Sequence, residues 1–166
     1  ANVVAGFNFD RVLPTGKTKD MAVIGYGASE LEDYLEAELE KQGRYINPDP
    51  NPEKGYFYRS DHISFAKKGV PVLYSDDGFD LEEGGIEEGF KEIYDYTNFR
   101  YHGVNDEYDP SWNLEGFEQT IDTIFNISQD LSNSTDWPNW YEGNEFRATR
   151  DCLLYTSPSP RDLYRS

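Results

Sequence analysis

Ser60-Asp61-His62-Ile63-Ser64-Phe65-Ala66-Lys67-Lys68-Gly69-Val70-Pro71-Val72-Leu73-Tyr74 is the stretch that sets the fold class. Ser60 or Asp61 suits a helix start, because a short side-chain oxygen accepts from the first free amide groups, and Gly69 suits its end. Val70 to Tyr74 then reads as a strand, with Pro71 near its beginning, where a missing amide hydrogen does least harm. A helix that feeds straight into an apolar strand is a unit of α/β layering, so the segments around it should alternate in the same way.

Upstream they do. Val3 to Phe9 is apolar and β-prone and gives way at Asp10 to Arg11 and a Pro14-Thr15-Gly16 turn. The run from Ala1 already reads as strand, so the chain is expected to open inside a fold. An acidic residue leaving a buried strand stands where α/β sheets keep their sites. Asp20 to Tyr26 is a second strand, apolar on both faces as in a covered sheet. Ser29-Glu30-Leu31-Glu32 opens a helix with a capping box, Leu31, Leu35 and Leu39 mark its inner face, and Gly43 stops it. Tyr45 to Lys54 contains Pro48, Pro50 and Pro52 and reads as a loop, an irregular flap or rim.

Downstream, Asp76 to Gly85 is an acidic loop without the spacing of a calcium-binding loop and reads as solvated. Glu87 to Arg100 returns to helical periodicity, with Phe90, Ile93, Tyr94 and Thr97 on one face. Asn113 to about Leu131 forms a last helix whose inner face is Leu114, Phe117, Ile121, Ile124, Phe125 and Leu131. The aromatic segment from Trp137 to Arg150 is expected to pack over that helix. Asn126-Ile127-Ser128 and Asn133-Ser134-Thr135 match a glycosylation pattern too short to carry weight. From Cys152 the character changes abruptly, and residues 152–166 resemble a translated sequencing-library adapter. They are set aside as a non-native tail, which leaves residues 1–151 as the native domain.

Charge and composition narrow the function. Acidic residues number 32 against 15 basic ones, a net charge of -17, so a phosphate backbone would be repelled and nucleic acid is excluded as a partner. Cations and divalent metals suit the field, although a solvated acidic surface explains it equally well. Aromatic residues at 16% are too many for a disordered acidic chain. The single cysteine, Cys152, rules out an internal disulfide framework and a cysteine-based zinc site. No apolar run approaches the roughly 18 residues that span a membrane.

Two residues then carry the chemistry. His102 is one of two histidines and sits in Tyr101-His102-Gly103-Val104-Asn105-Asp106-Glu107-Tyr108-Asp109, a turn-rich loop after a helix. Neutral imidazole is the commonest ligand for transition metals, and carboxylates are its usual companions. Asp10 follows a strand and is the second candidate. Two protein ligands are too few for a stable zinc site. Asp61 or His62 could add to them, but neither shows a local spacing such as His-Glu-x-x-His. A plain surface position for His102 stays open at this level, as does a helix-start role for His62.

Taken in order, Asn8-Phe9-Asp10, then Tyr58-Arg59-Ser60-Asp61-His62 through Gly69-Val70-Pro71, then Tyr101-His102 with Asp106 and Asp109, resemble the C-terminal half of the co-catalytic di-zinc exopeptidases. These are the leucyl aminopeptidase-like and glutamate carboxypeptidase II-like metallopeptidases, and the resemblance covers roughly residues 1–150. It implies a three-layer α/β fold, a mixed sheet flanked by helices, present as its C-terminal part. It implies a zinc-dependent exopeptidase with two zinc ions per complete site, a peptide substrate and a metal-bridged water. Asp10 would bind one metal and His102 the other, with Asp106 orienting the imidazole. Asp61 and His62 would stand beside the substrate, and Tyr58, or equally Tyr56, would polarise its carbonyl. The family's His-x-Asp pair, bridging aspartate and Glu-Glu pair, which includes the general base, have no counterpart in these residues, so the chain alone is expected to be inactive. Relatives are often exported, which favours an extracytoplasmic setting. Two alternatives remain: a non-catalytic binding or receptor module on the same fold, and an unrelated acidic module for cations or sugars.

Overall fold

The computed structural model describes residues 3–156. Four strands, β1 (Gly6–Asn8), β2 (Asp20–Val23), β3 (Tyr45–Pro48) and β4 (Val72–Asp77), form one sheet in the order β1-β4-β2-β3. β1 runs parallel to β4 and β2 parallel to β3, while β2 and β4 are antiparallel, so the sheet is mixed and the fold is α/β. The helices are α1 (Leu31–Lys41), the single turn α2 (Ile63–Ala66), α3 (Gly85–Phe99), α4 (Glu115–Ser132) and α5 (Arg147–Thr156).

One core joins Met21, Val23 and Leu73 of the sheet to Leu31, Leu35 and Leu39 of α1 and to Ile124, Ile127 and Leu131 of α4. The leucine spacing of α1 therefore does what its periodicity predicts. Arg44 is buried beside this layer and holds β2 in place, donating to the Thr18 and Asp20 carbonyls at 2.9 and 2.7 Å. A second cluster, Ala28, Ala66, Trp140 and Phe146 with Phe57 and Ile63, packs the aromatic segment around α2. Trp140 is fully buried and donates its indole N–H to the Gly69 carbonyl at 3.2 Å. Gly69 has φ 82°, and an added Cβ would stand 2.7 Å from the Arg150 amide nitrogen, so only glycine fits there.

The structure departs from the sequence expectations in several places. Tyr45 to Pro48 is a strand, not loop: Pro48 is tolerated because β3 lies at the sheet edge, where no further strand needs its N–H. Ser29 makes no capping hydrogen bond. The Glu32 carboxylate instead accepts the Gly27, Ala28 and Ser29 amides, so a side chain from inside the helix satisfies the turn before it. On α4, Ile121 and Phe125 are 63% and 59% exposed, and the buried face runs through Gly116, Thr120, Thr123, Ile124 and Ile127. Its rotation follows from Gly116, whose missing side chain lets the helix lie on the Gly16 carbonyl. The Trp137–Arg150 segment packs on Ala28, Ala66 and Phe57, not over α4. α5 runs through residue 152 without a break, and residues 157–166 of the expected tail lie outside the described residues.

Candidate active site

The parallel pairing of β1 with β4 brings Asn8, the last residue of β1, opposite Tyr74 within β4. Asp10 follows immediately. Its Oδ2 accepts the Tyr74 hydroxyl at 2.9 Å and the Ser60 hydroxyl in a short hydrogen bond, and its Oδ1 accepts the Asn8 amide at 3.3 Å. Asn8 also donates to Ser60 Oγ at 2.9 Å. The carboxylate is thus held by three side chains from three segments yet remains exposed, which is the condition of an oriented acceptor open to a ligand.

His62 stands behind this cluster. It is 2% exposed, its ring lies between Phe57 and Tyr74 at 4.7 and 4.8 Å, and neither ring nitrogen has a hydrogen-bond partner. Burial pushes its pKa down against the upward pull of Asp10 and Asp61, so the imidazole is neutral at pH 7. Burial, with Asp76 and Asp10 adding to it, raises the Tyr74 phenol far above its ordinary range, and Tyr74 acts as a donor only. Beyond it, Asp76 pairs with Arg11 at 3.0 Å. Burial pushes the Asp76 carboxyl up to about 6 despite that guanidinium, and its Oδ1 is buried without a partner.

The other sequence candidates lie apart from this cluster. Tyr58 donates its hydroxyl to Glu145 at 2.9 Å, and Tyr56 is exposed beside Lys54 and Arg59. Asp61 is exposed at the start of α2. His102 lies on the exposed turn after α3 with φ 58°, its ring stacked on Tyr101 at 3.9 Å. Asp106 accepts the Tyr96 hydroxyl at 3.2 Å and is not hydrogen-bonded to His102. No hydrogen bond or ring contact joins His102 to the Asp10 cluster.

Tyr74, Asn8 and the Arg11–Asp76 pair are the residues that sequence reading missed. Asn8 ends β1 and Arg11 follows it, but Tyr74 and Asp76 lie inside β4, and the pairing that brings the two strands together is not written locally. As donors, the Asp10 carboxylate and the His102 imidazole are types that zinc accepts. Among the described residues, however, no three histidine, cysteine, aspartate or glutamate side chains gather into a group able to hold a metal.

The family model of Peptidase family M28 matches residues 1–128. No curated protein and no solved structure matches the chain.

Proposed function

The chain belongs to peptidase family M28, the co-catalytic zinc exopeptidases, and from that premise we propose that it serves a zinc-dependent exopeptidase of aminopeptidase type acting on peptides. The observation that carries this reading is Asp10, an exposed carboxylate fixed by Ser60, Tyr74 and Asn8 at the edge of the parallel β1–β4 pair. Asp10 would hold one metal and His102 the other, with Asp106 orienting the imidazole. When bound, the two zinc ions supply Lewis-acid polarisation of the scissile carbonyl and an activated water. Ser60 and Tyr74 keep the Asp10 carboxylate in one orientation, and neutral His62 with Phe57 keeps its rear face dry. Tyr58 and Asp61, both exposed, would border the substrate, whereas His62, buried behind Asp10, would act on it only through that carboxylate.

The remaining ligands and the general base would be supplied by other parts of the parent protein. On this reading residues 1–151 are the C-terminal part of a three-layer catalytic domain, residues 152–166 are a non-native tail, and the parent acts outside the cytoplasm. The shortage of gathered ligands also favours a second reading, a non-catalytic binding module on the same fold.

The test is made in the parent protein with an aminoacyl anilide as substrate and zinc content measured on the same samples. Asp10→Asn and His102→Ala should each remove one of the two metals of such sites and abolish turnover. Ser60→Ala and Tyr74→Phe, which disturb only the orientation of Asp10, should lower metal affinity or activity by roughly 10–100-fold. Turnover that survives a chelator, or unchanged zinc content in Asp10→Asn, would overturn the peptidase assignment of these residues. Tight zinc binding without turnover would favour the binding module.

A further inference from the structure

Phe57, whose ring meets His62, also walls a cavity of ≈ 280 Å³ that Asp10, Ser60 and Tyr74 do not line. Its other principal walls are Tyr26, Tyr56, Tyr58, Asp49 and Glu145. That volume is just below the usual range of ligand sites, roughly 300–1,000 Å³, and suits one side chain or a small molecule. Glu145 and its neighbour Phe146 come from the aromatic segment beyond residue 128, where the family match ends. The cavity is therefore built partly from a segment that the family match does not cover.

The chemistry of its walls points one way. Glu145 accepts the Tyr58 hydroxyl through Oε1, and Asp49 accepts the Asn51 amide at 2.8 Å through Oδ1. The second oxygen of each carboxylate has no hydrogen bond or ion pair among the described residues. Aromatic faces carry negative potential and attract cations within about 6 Å. The Tyr56 ring already does so, with Lys54 Nζ and Arg59 Cζ each 5.9 Å from its centroid, and neither basic side chain lines the cavity. An anion would meet two carboxylates there, and a purely apolar group would strip water from them without compensation.

We propose that this cavity binds an organic cation, the guanidinium or ammonium head of a basic side chain. The cation sits against the Tyr26, Tyr56 and Phe57 rings with its charge between Asp49 and Glu145. This inference stands whether or not the Asp10 site hydrolyses peptides, because binding here needs no metal.

The experiment compares L-arginine amide with L-citrulline amide, which has the same α-ammonium and nearly the same shape but a neutral head. Calorimetry on the 166-residue chain at low salt gives the affinities, and NMR shifts of the Gly25, Gly27 and Gly55 amides report the place. Arginine amide should bind about tenfold tighter, as expected for a cation on aromatic faces beside a carboxylate. Glu145→Gln keeps an acceptor for Tyr58 and should bring the ratio close to one with an unchanged Tm. If that variant fails to fold, Tyr26→Leu, an exposed position, should cut arginine-amide binding severalfold. Equal binding of the two amides overturns the proposal. So does an arginine preference that persists in Glu145→Gln, or that shifts none of the three glycine amides.

Discussion

Asp77 shows how one buried carboxyl can set the pH response of the fold. It is 8% exposed at the end of β4 and accepts the Leu13 amide through Oδ2. Burial pushes its pKa up to about 7, against the downward pull of that amide. A carboxyl whose folded pKa lies above its unfolded value holds more protons folded than unfolded between the two. Stability therefore falls as pH rises through that window, here from about 4 to about 7, and the whole penalty is present above it. At about 1.4 kcal/mol per unit, the ionised form costs the fold a few kcal/mol at pH 8. Asp77→Asn keeps an oxygen for Leu13 and cannot ionise. It should raise Tm by at least about 3 °C at pH 8, by less at pH 5, where only the lower part of the window has been crossed, and change it little near pH 3, below both values. Equal Tm values for the two proteins at pH 8 in a calorimetric scan would show that Asp77 ionises without cost.

The element that presents His102 is held lightly. α3 buries only Gly89, and it docks by laying that glycine on the Phe79 carbonyl while Phe90 stacks on Phe79 at 4.7 Å. Gly89→Ala brings two opposed effects. Alanine improves helix propensity by about 1 kcal/mol, but its Cβ would overlap backbone atoms of Phe79, which cannot swing aside as a side chain can, and overpacking costs about 1–3 kcal/mol. The steric effect should win, lowering Tm and speeding proteolysis within residues 85–110, and a raised Tm would show that α3 docks elsewhere. The same helix marks what was legible in the sequence. Its existence followed from periodicity, as did α1, β2, β4 and the α/β class, because those patterns are local. Its loose attachment was not legible, since Phe90 and Tyr94 are 40% and 62% exposed where hydrophobic spacing implied an inner face. β3 was missed because three prolines outweighed a pairing that only the sheet edge permits. Asp10 could be found from its place after a strand, while Tyr74, 64 residues from it in sequence, depended on the register between β1 and β4.

At the scale of the molecule, the chain closes on itself beyond the family match and must do so against its own charge. Arg150 is 1% exposed and donates to the Val3, Val4 and Pro138 carbonyls, tying the last helix to the residues that lead into β1. Against this closure stands a net charge of -17. The ion pairs among the described residues are few, and Lys41–Asp130 and Lys91–Glu88 are solvent-exposed contacts whose net effect on stability is small. Self-repulsion among uncompensated carboxylates is spread over the surface and acts at long range, so it is the part that salt screens best. The screening length falls from about 30 Å at 0.01 M to about 3 Å at 1 M. Raising NaCl from about 0.01 to 0.5 M at pH 8 should therefore raise Tm, with most of the gain complete by about 0.15 M, where the screening length is already near 8 Å. Sucrose, which acts by exclusion from the surface instead of by screening, should give a gradual rise with no such plateau. A Tm that falls with added salt would mean that the ion pairs outweigh the repulsion, and the acidic surface would then be a stabilising network.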